Sequence, residues 1–387
     1  MKVLILSPFP LDWERAHGGV ESTVMYFLDG AAADADVSLH VVTSLPSVRA
    51  PESRMRGAAR ITYLPRLRWG RAVGYAGDFR AIRRIVDEEQ PDLVHAQGTT
   101  FYAGAALASG APAVITAHGV AFREFAYVRG LSQRARGLWD AWYERRCLRR
   151  TRYLIAIAPY VACEFAPWTR ARVWFVPNAI SERFFGLSRA PEPHTILFAG
   201  VVSPRKAVRE LVEAVAGVRR HVPGVRLRIA GDVRQFPDYV AQVRRLVAQH
   251  GLEDSVQLLG PLPEADILAE YARAAVLALP SWQETLPAAA AQAMAAGVPV
   301  VSTAVGGVPD IIQDGMHGLL VRPGDVAGLR DALVRVLSDG ALAASLADAA
   351  RTYAEENFRG DVVARRVLDV YADVLRLERG GERSTAP

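Results

Sequence analysis

Residues 281–310 read SWQETLPAAAAQAMAAGVPVVSTAVGGVPD. A short apolar run at 275–279 leads into this polar loop, a small-residue helical stretch at 286–296 leaves it, and a second apolar run follows at 299–302. Strand, loop, helix and strand within about 30 residues is the crossover unit of a parallel sheet. A loop of this kind presents the free N–H groups and positive dipole end of its helix, which together seat an anion. Pro287 suits the first turn of that helix, where a missing N–H costs nothing. Glu284 stands at the mouth of the seat, and Gln292 lies eight positions on, with the four alanines 288–291 between them. Continuous helical geometry would turn Gln292 toward a ligand over the alanines; tight helix packing with a solvated Gln292 reads equally well.

The same alternation extends outward from this unit. Apolar runs at 195–199, 225–230 and 256–259 predict strands, and periodic stretches at 205–219, 238–250 and 265–272 predict helices between them. Ahead of a proline-rich break at 190–194 (APEPH), strands are expected at 3–7, 37–43, 92–97, 113–118 and 153–157, with helices at 77–90 and 131–150. Helices at 324–337, 341–357 and 360–377 close the chain before a tail, RGGERSTAP, that reads as exposed. This is an α/β protein of two doubly wound halves, and such halves bind ligands between the carboxyl ends of their strands. A length of 387 residues fits two domains.

Bulk composition excludes several classes. Hydrophobic residues at 51% and charged residues at 22% describe a globular chain, not a disordered or fibrous one. Two cysteines, Cys147 and Cys163, make no disulfide framework or metal spacing, so a reducing cytoplasm is expected. The first residues, MKVLILSPFP, read as a strand cut short by Pro8 and not as a secretory signal, and no run suffices to cross a membrane. A net charge of +5 favours anionic partners, and it is concentrated: nine arginines face three acids between Arg123 and Arg152, a local +6.

The segment ETLPAAAAQAMAAGVPVVSTAVGGVPDII resembles the signature of the family-4 retaining glycosyltransferases, which have the GT-B fold. FAGVVSPRKAVRELVEAV (198–215), IAGD (229–232), HGLLVRPGD (317–325) and the crossover VPNAI (176–180) extend the resemblance. It implies two Rossmann-like domains, 1–178 and 179–357, with the last helix, 358–380, crossing back onto the first. It further implies sugar transfer from a nucleoside-diphosphate sugar to an acceptor hydroxyl, with no cofactor or metal. By that likeness Glu284 contacts the transferred sugar and Gln292, where the family usually has a glutamate, holds the ribose; a glutamine amide still bonds a diol. Gly260 and Leu262 border the base, and Leu286 and Ala288 bring helix N–H groups to the phosphates.

A departing diphosphate needs fixed positive charge. Arg205 and Lys206, at a strand-to-helix turn, supply a fork and a point charge. The family often has an arginine where this chain has Val201 and a glycine where it has Ala207. The paired glycines Gly18 and Gly19 of HGGVEST let backbone approach a phosphate. The dinucleotide fingerprint GxGxxG is missing, which argues against a nicotinamide enzyme. His118, ending the run 113–118, takes the family's sugar-supporting role, and His95 and Gln97 are acceptor-side candidates. Asp34–Asp36 (DAD) precedes an internal strand and reads as a turn, so no metal site is assigned.

The helix at 131–150 places Leu131, Leu138, Trp142 and Leu148 on one expected face among its arginines. It reads either as an element lying on an anionic membrane, reached by a cytoplasmic enzyme with a lipid-linked acceptor, or as a sheet-packing helix with solvated arginines. Nucleic acid is not an expected partner, because no reader motif accompanies the charge. Competing functions are a nucleotide-sugar epimerase or hydrolase on the same fold, and a donor-binding scaffold without activity.

Overall fold

The computed structural model describes residues 1–13, 19–32, 34–68, 70–124 and 131–383. Its apolar runs pair into two sheets, one in each of two units: Met1–Ala179 with Gly360–Pro387, and Ile180–Arg359. The divisions expected from sequence fall one and two residues earlier.

In the first unit the chain forms β1 (Lys2–Leu6), α1 (Gly19–Ala31), β2 (Ser38–Leu45), β3 (Glu52–Arg56), β4 (Ala59–Pro65), α2 (Ala76–Glu89), β5 (Leu93–Gln97) and α3 (Phe101–Ser109). It continues through β6 (Ala113–Ala117), α4 (Ala121–Glu124), α5 (Leu131–Leu148), β7 (Tyr153–Ala156), α6 (Pro159–Phe165) and β8 (Arg172–Phe175). The strand order is β3-β4-β2-β1-β5-β6-β7-β8, parallel except for the β3–β4 pair.

The second unit runs α7 (Glu182–Phe185), β9 (Thr195–Ala199), α8 (Val208–Val218), β10 (Arg226–Ala230), α9 (Pro237–Gln249), β11 (Val256–Gly260), α10 (Glu264–Arg273) and β12 (Val276–Leu279). It ends with α11 (Ala288–Ala295), β13 (Val300–Thr303), α12 (Val308–Ile311), β14 (Leu319–Val321), α13 (Val326–Ser338) and α14 (Gly340–Asn357). Its six strands are all parallel, in the order β11-β10-β9-β12-β13-β14. Every residue of β9 and β12 is buried, as expected for parallel strands covered on both faces. The last helix, α15 (Gly360–Arg383), returns to the first unit and packs along α1. Gly30 makes that approach possible, since a Cβ there would lie 2.1 Å from the Gly360 carbonyl oxygen.

Several sequence expectations are corrected. Strand β3 (ESRMR) is exposed and charged, the pattern of a protected edge and not of a buried run. Strands β4, β8 and β14 and helices α3, α4, α6, α7 and α12 also escaped the periodicity reading. The helix expected at 205–219 breaks into a 3-10 turn, Pro204–Lys206, and α8. Helix α15 continues to Arg383, through the first residues of the tail that read as exposed. Both cysteines are free, Cys147 buried and Cys163 exposed. Among the described residues no helix is long and apolar enough to cross a membrane.

Candidate active site

In the six-stranded sheet the chain moves outward from β9 through β10 to β11, then returns to β12 on the other side of β9. The loops after β9 and β12 therefore diverge at the topological switch point, where doubly wound sheets bind ligands. Arg205 and Lys206 belong to the first loop and Glu284 to the second. The Trp282 N–H donates to the Arg205 carbonyl at 2.8 Å and ties the loops together. Just after β10 Gly231, at φ 155°, lets its backbone close on Gly200; a Cβ there would stand 1.8 Å from the Gly200 carbonyl oxygen.

Glu284 is 4% exposed. Its Oε1 accepts from Lys206 Nζ at 2.5 Å and from Ser281 Oγ at 2.6 Å, and its Oε2 lies 3.4 Å from Arg205 Nη1. Arg205 Nη1 also donates to the Gln283 carbonyl at 2.7 Å. Burial alone would raise the Glu284 pKa, but Lys206, Arg205 and the Ser281 hydroxyl together outweigh it and hold the carboxyl below its ordinary range. Gly306, at φ 52°, packs its backbone against the Glu284 carbonyl, where a Cβ would approach to 1.8 Å. Sequence reading separated the sugar-binding carboxylate from the phosphate cations; the structure makes them one cluster. Its formal charge is +1, two cations less one carboxylate, so it still attracts an anion. Ser281, Trp282 and Gly231 were not singled out from sequence. Ser281 and Trp282 flank Glu284 in the same loop, which was the available signal.

Ala207 explains the break before α8. It occupies the left-handed region, at φ 52° and ψ 41°, and is 1% exposed. The family's usual glycine has its physical reason here, because only glycine enters that region without strain. Ala207→Gly is expected to change stability by less than about 1 kcal/mol, since relief of strain offsets the lost methyl burial and added chain entropy. Ala207→Val is expected to cost about 2 kcal/mol or more, by β-branching in that region and by overpacking. Urea midpoints of the two variants check both values, and a glycine variant as unstable as the valine one would refute the strain.

Helix α11 starts at Ala288, later than expected. Pro287 caps it in an extended conformation, at ψ 109°, and Leu286 before a proline is barred from helix. The Ala290 and Ala291 N–H groups return to the Pro287 carbonyl, so those of Ala288 and Ala289 precede the helix ladder. Ala288 is exposed and Leu286 is buried. The helical course projected from Glu284 to Gln292 does not exist. Gln292 is half-buried, and the Tyr271 hydroxyl lies 3.1 Å from both its Oε1 and the Ala289 carbonyl. Gly260, the last residue of β11, and Leu262 beyond it are half-buried, and the Gly260 carbonyl accepts from the Gly231 N–H at 2.8 Å.

In the first unit the order again reverses beside the first strand, between β1 and β5. Gly18 lies outside the described residues. Gly19 opens α1, with nothing within 4 Å of the position a Cβ would take. His118 is half-buried beyond β6. Its Nε2 lies 2.6 Å from Gln97 Oε1 and its Nδ1 2.9 Å from Asn178 Oδ1. Burial lowers its pKa to about 4, so the ring is neutral near pH 7. The acceptor-side assignment of His95 is corrected. It is 1% exposed, with Tyr371 and Thr116 hydroxyls each 2.6 Å from a ring nitrogen, leaving neither for a ligand. Gln97, 7% exposed, is likewise turned onto His118.

Helix α5 is corrected too. Leu148 is 1% exposed, whereas Leu138 and Trp142 are 59% and 55% exposed, so they do not share a face. The outward side carries Leu138, Trp142 and Arg146, with exposed Arg149 just after the helix and the Arg146 guanidinium over the Trp142 ring. Next to it an open concavity of about 800 Å³ is lined by Trp168, Arg149, Arg150, Arg152, Arg170 and Arg172. Asp34 and Asp36 do form a turn, in which Asp34 Oδ1 accepts from the Asp36 N–H at 3.0 Å.

Comparison with known proteins follows the same division. The profile of "Glycosyltransferase Family 4" matches residues 17–184, and that of "Glycosyl transferases group 1" matches 193–339. A glycogen synthase of Mycobacterium tuberculosis is 30% identical over 297 residues, covering 75% of this chain and 70% of the relative. The chain spans half or less of the length of several other curated relatives, down to 21% of one. Sucrose-phosphate synthase of Thermosynechococcus elongatus superposes with a TM-score of 0.79 at 21% identity, covering 97% of this chain and 99% of the other. HepE of Anabaena, solved in complex with UDP and glucose, gives 0.71 at 19% identity, covering 96% and 99%.

Proposed function

Because the chain belongs to the family-4 glycosyltransferases of the GT-B fold, we propose that it moves a sugar from a nucleoside diphosphate to an acceptor hydroxyl, with retention at the anomeric carbon and without a metal. The observation that carries this reading is the convergence of Arg205, Lys206 and Glu284 beside the start of α11. Two fixed cations and the free N–H groups of Ala288 and Ala289 supply what a departing diphosphate needs. In the proposed front-face step the glycosidic C–O bond to the phosphate breaks and the acceptor oxygen bonds to the same face of that carbon. The leaving phosphate oxygen takes the acceptor proton. Glu284 orients the sugar hydroxyls, Gln292 takes the ribose, Gly260 and Leu262 border the base, and neutral His118 hydrogen-bonds the sugar. HepE, crystallised with UDP and glucose, supports a nucleotide sugar as partner.

A thermal-shift panel of UDP, GDP and ADP tests the donor site, since a ligand of the native state raises the melting temperature. Turnover assays with the matching nucleotide sugar then test the reaction. Acceptor-dependent nucleoside diphosphate release is expected; release unaffected by acceptor would make the chain a hydrolase, and binding without turnover a scaffold.

The reading extends to a cytoplasmic enzyme that meets an anionic membrane through α5, supported by its exposed Leu138 and Trp142 beside the arginine concavity. Co-sedimentation with phosphatidylglycerol vesicles is expected, and Trp142→Ser is expected to weaken it several-fold. Equal sedimentation with phosphatidylcholine vesicles would count against the membrane association.

A further inference from the structure

Helix α15 brings one buried hydroxyl back to the first unit. Tyr371 is 0% exposed, and its hydroxyl meets His95 Nδ1 at 2.6 Å while Thr116 Oγ1 holds Nε2 at 2.6 Å. His95 is thus clamped at both nitrogens. Its other neighbour is Gln97, whose Nε2 lies 3.4 and 3.3 Å from the two ring nitrogens. A donor that near to both, when each already has a partner, rests against the ring and is in line with neither lone pair. The π-face of an imidazole favours an N–H over a carbonyl oxygen. The amide is therefore turned with its NH₂ to His95 and its oxygen to His118.

We propose that Tyr371 and His95 are positioning residues that, through the Gln97 amide, fix the tautomer and orientation of His118. An amide oxygen only accepts, so His118 carries its proton on Nε2. Nδ1 then holds the lone pair and faces Asn178, whose amide must present its NH₂ there, a half-turn that leaves its shape unchanged. Were Gln97 released, its amide would reverse, donate to Nε2 and move the proton to Nδ1. The two states offer a sugar opposite hydrogen-bonding partners. This inference rests on the proposed role of His118 toward the sugar.

Tyr371→Phe removes only the hydroxyl. In ¹⁵N-histidine-labelled full-length protein at pH 8, the His118 ring is expected to show one Nε2–H tautomer in the wild type and a mixture in the variant. Turnover is expected to fall about 10-fold with the donor KM within about twofold, a loss of positioning and not of binding. Val374→Ala, a buried truncation one turn along α15, controls for stability and is expected to leave tautomer and kcat unchanged. A Tyr371→Phe enzyme that keeps a single tautomer and wild-type kcat overturns the proposal, as does a Val374→Ala enzyme that reproduces its defects. Wild-type turnover by His118→Ala would instead remove the assigned role of His118.

Discussion

Replacing Glu284 by glutamine is expected to lower turnover about 10²-fold or more while nucleoside diphosphate binding holds or tightens. The amide keeps the shape of the carboxylate and one acceptor oxygen, so the hydrogen bond from Ser281 survives. It loses the charge that engages Lys206 at 2.5 Å and Arg205 at 3.4 Å. Both cations are then unshared, and the cluster goes from +1 to +2 before an incoming diphosphate. Ground-state affinity therefore gains electrostatically, while the sugar loses the acceptor that aligns its hydroxyls. Glu284→Ala should show the same division, and it also removes the acceptor of the Ser281 hydroxyl. Titration calorimetry with the nucleoside diphosphate, set beside turnover of its sugar, separates the two effects. Near-normal turnover in both variants would exclude Glu284 from the reaction, and parallel loss of binding and turnover would make it only a scaffold for the cations.

Most of this site was legible one strand at a time. Runs such as 195–199 and 275–279 announce strands because a parallel sheet buries both faces, and the loops that follow carry Arg205, Lys206 and Glu284. Their meeting at one diphosphate seat was expected only through the resemblance, and the direct bonds of Arg205 and Lys206 to Glu284 were not legible, because 78 and 79 residues separate the partners and nothing local encodes them. Ala207 was noted as a departure from a glycine, yet alanine's helix propensity hides the left-handed turn it occupies. The pairing of His118 with Gln97 and Asn178 depends on three segments meeting at one sheet end, as does the clamping of His95. Edge strands β3 and β8 lack the buried alternation that periodicity detects, since their charged or exposed side chains guard open sheet edges. Bringing α15 back to the first unit was foreseen only by resemblance.

Acidification is expected to weaken the first unit well before the carboxylate range is reached. Burial, aided by the neighbouring His118, lowers the His95 pKa from 6.5 to about 3, and burial lowers that of His118 to about 4. Burial also lowers His40, outweighing its Glu89 partner. Each of these rings binds its proton more readily in the unfolded chain. Their contribution to stability is therefore fully present above pH 6.5 and is lost as pH falls toward 4 for His118 and toward 3 for His95. Each unit of pH in that window costs about 1.4 kcal/mol per histidine. In the second unit His317 is lowered as well, but it is only partly buried, and the Glu284 carboxylate, held below its ordinary 4.5, keeps its charge through most of this range. Six of the seven tryptophans, all but Trp282, lie in the first unit, so fluorescence reports on it selectively. The urea midpoint followed by tryptophan emission is expected to fall between pH 7 and pH 5, and His95→Gln to flatten that dependence. An unchanged midpoint across this interval would mean that the native rings titrate as they do in the unfolded chain, and the sugar would then meet a His118 ring that gains its proton near 6.5 in place of the persistently neutral ring proposed for it.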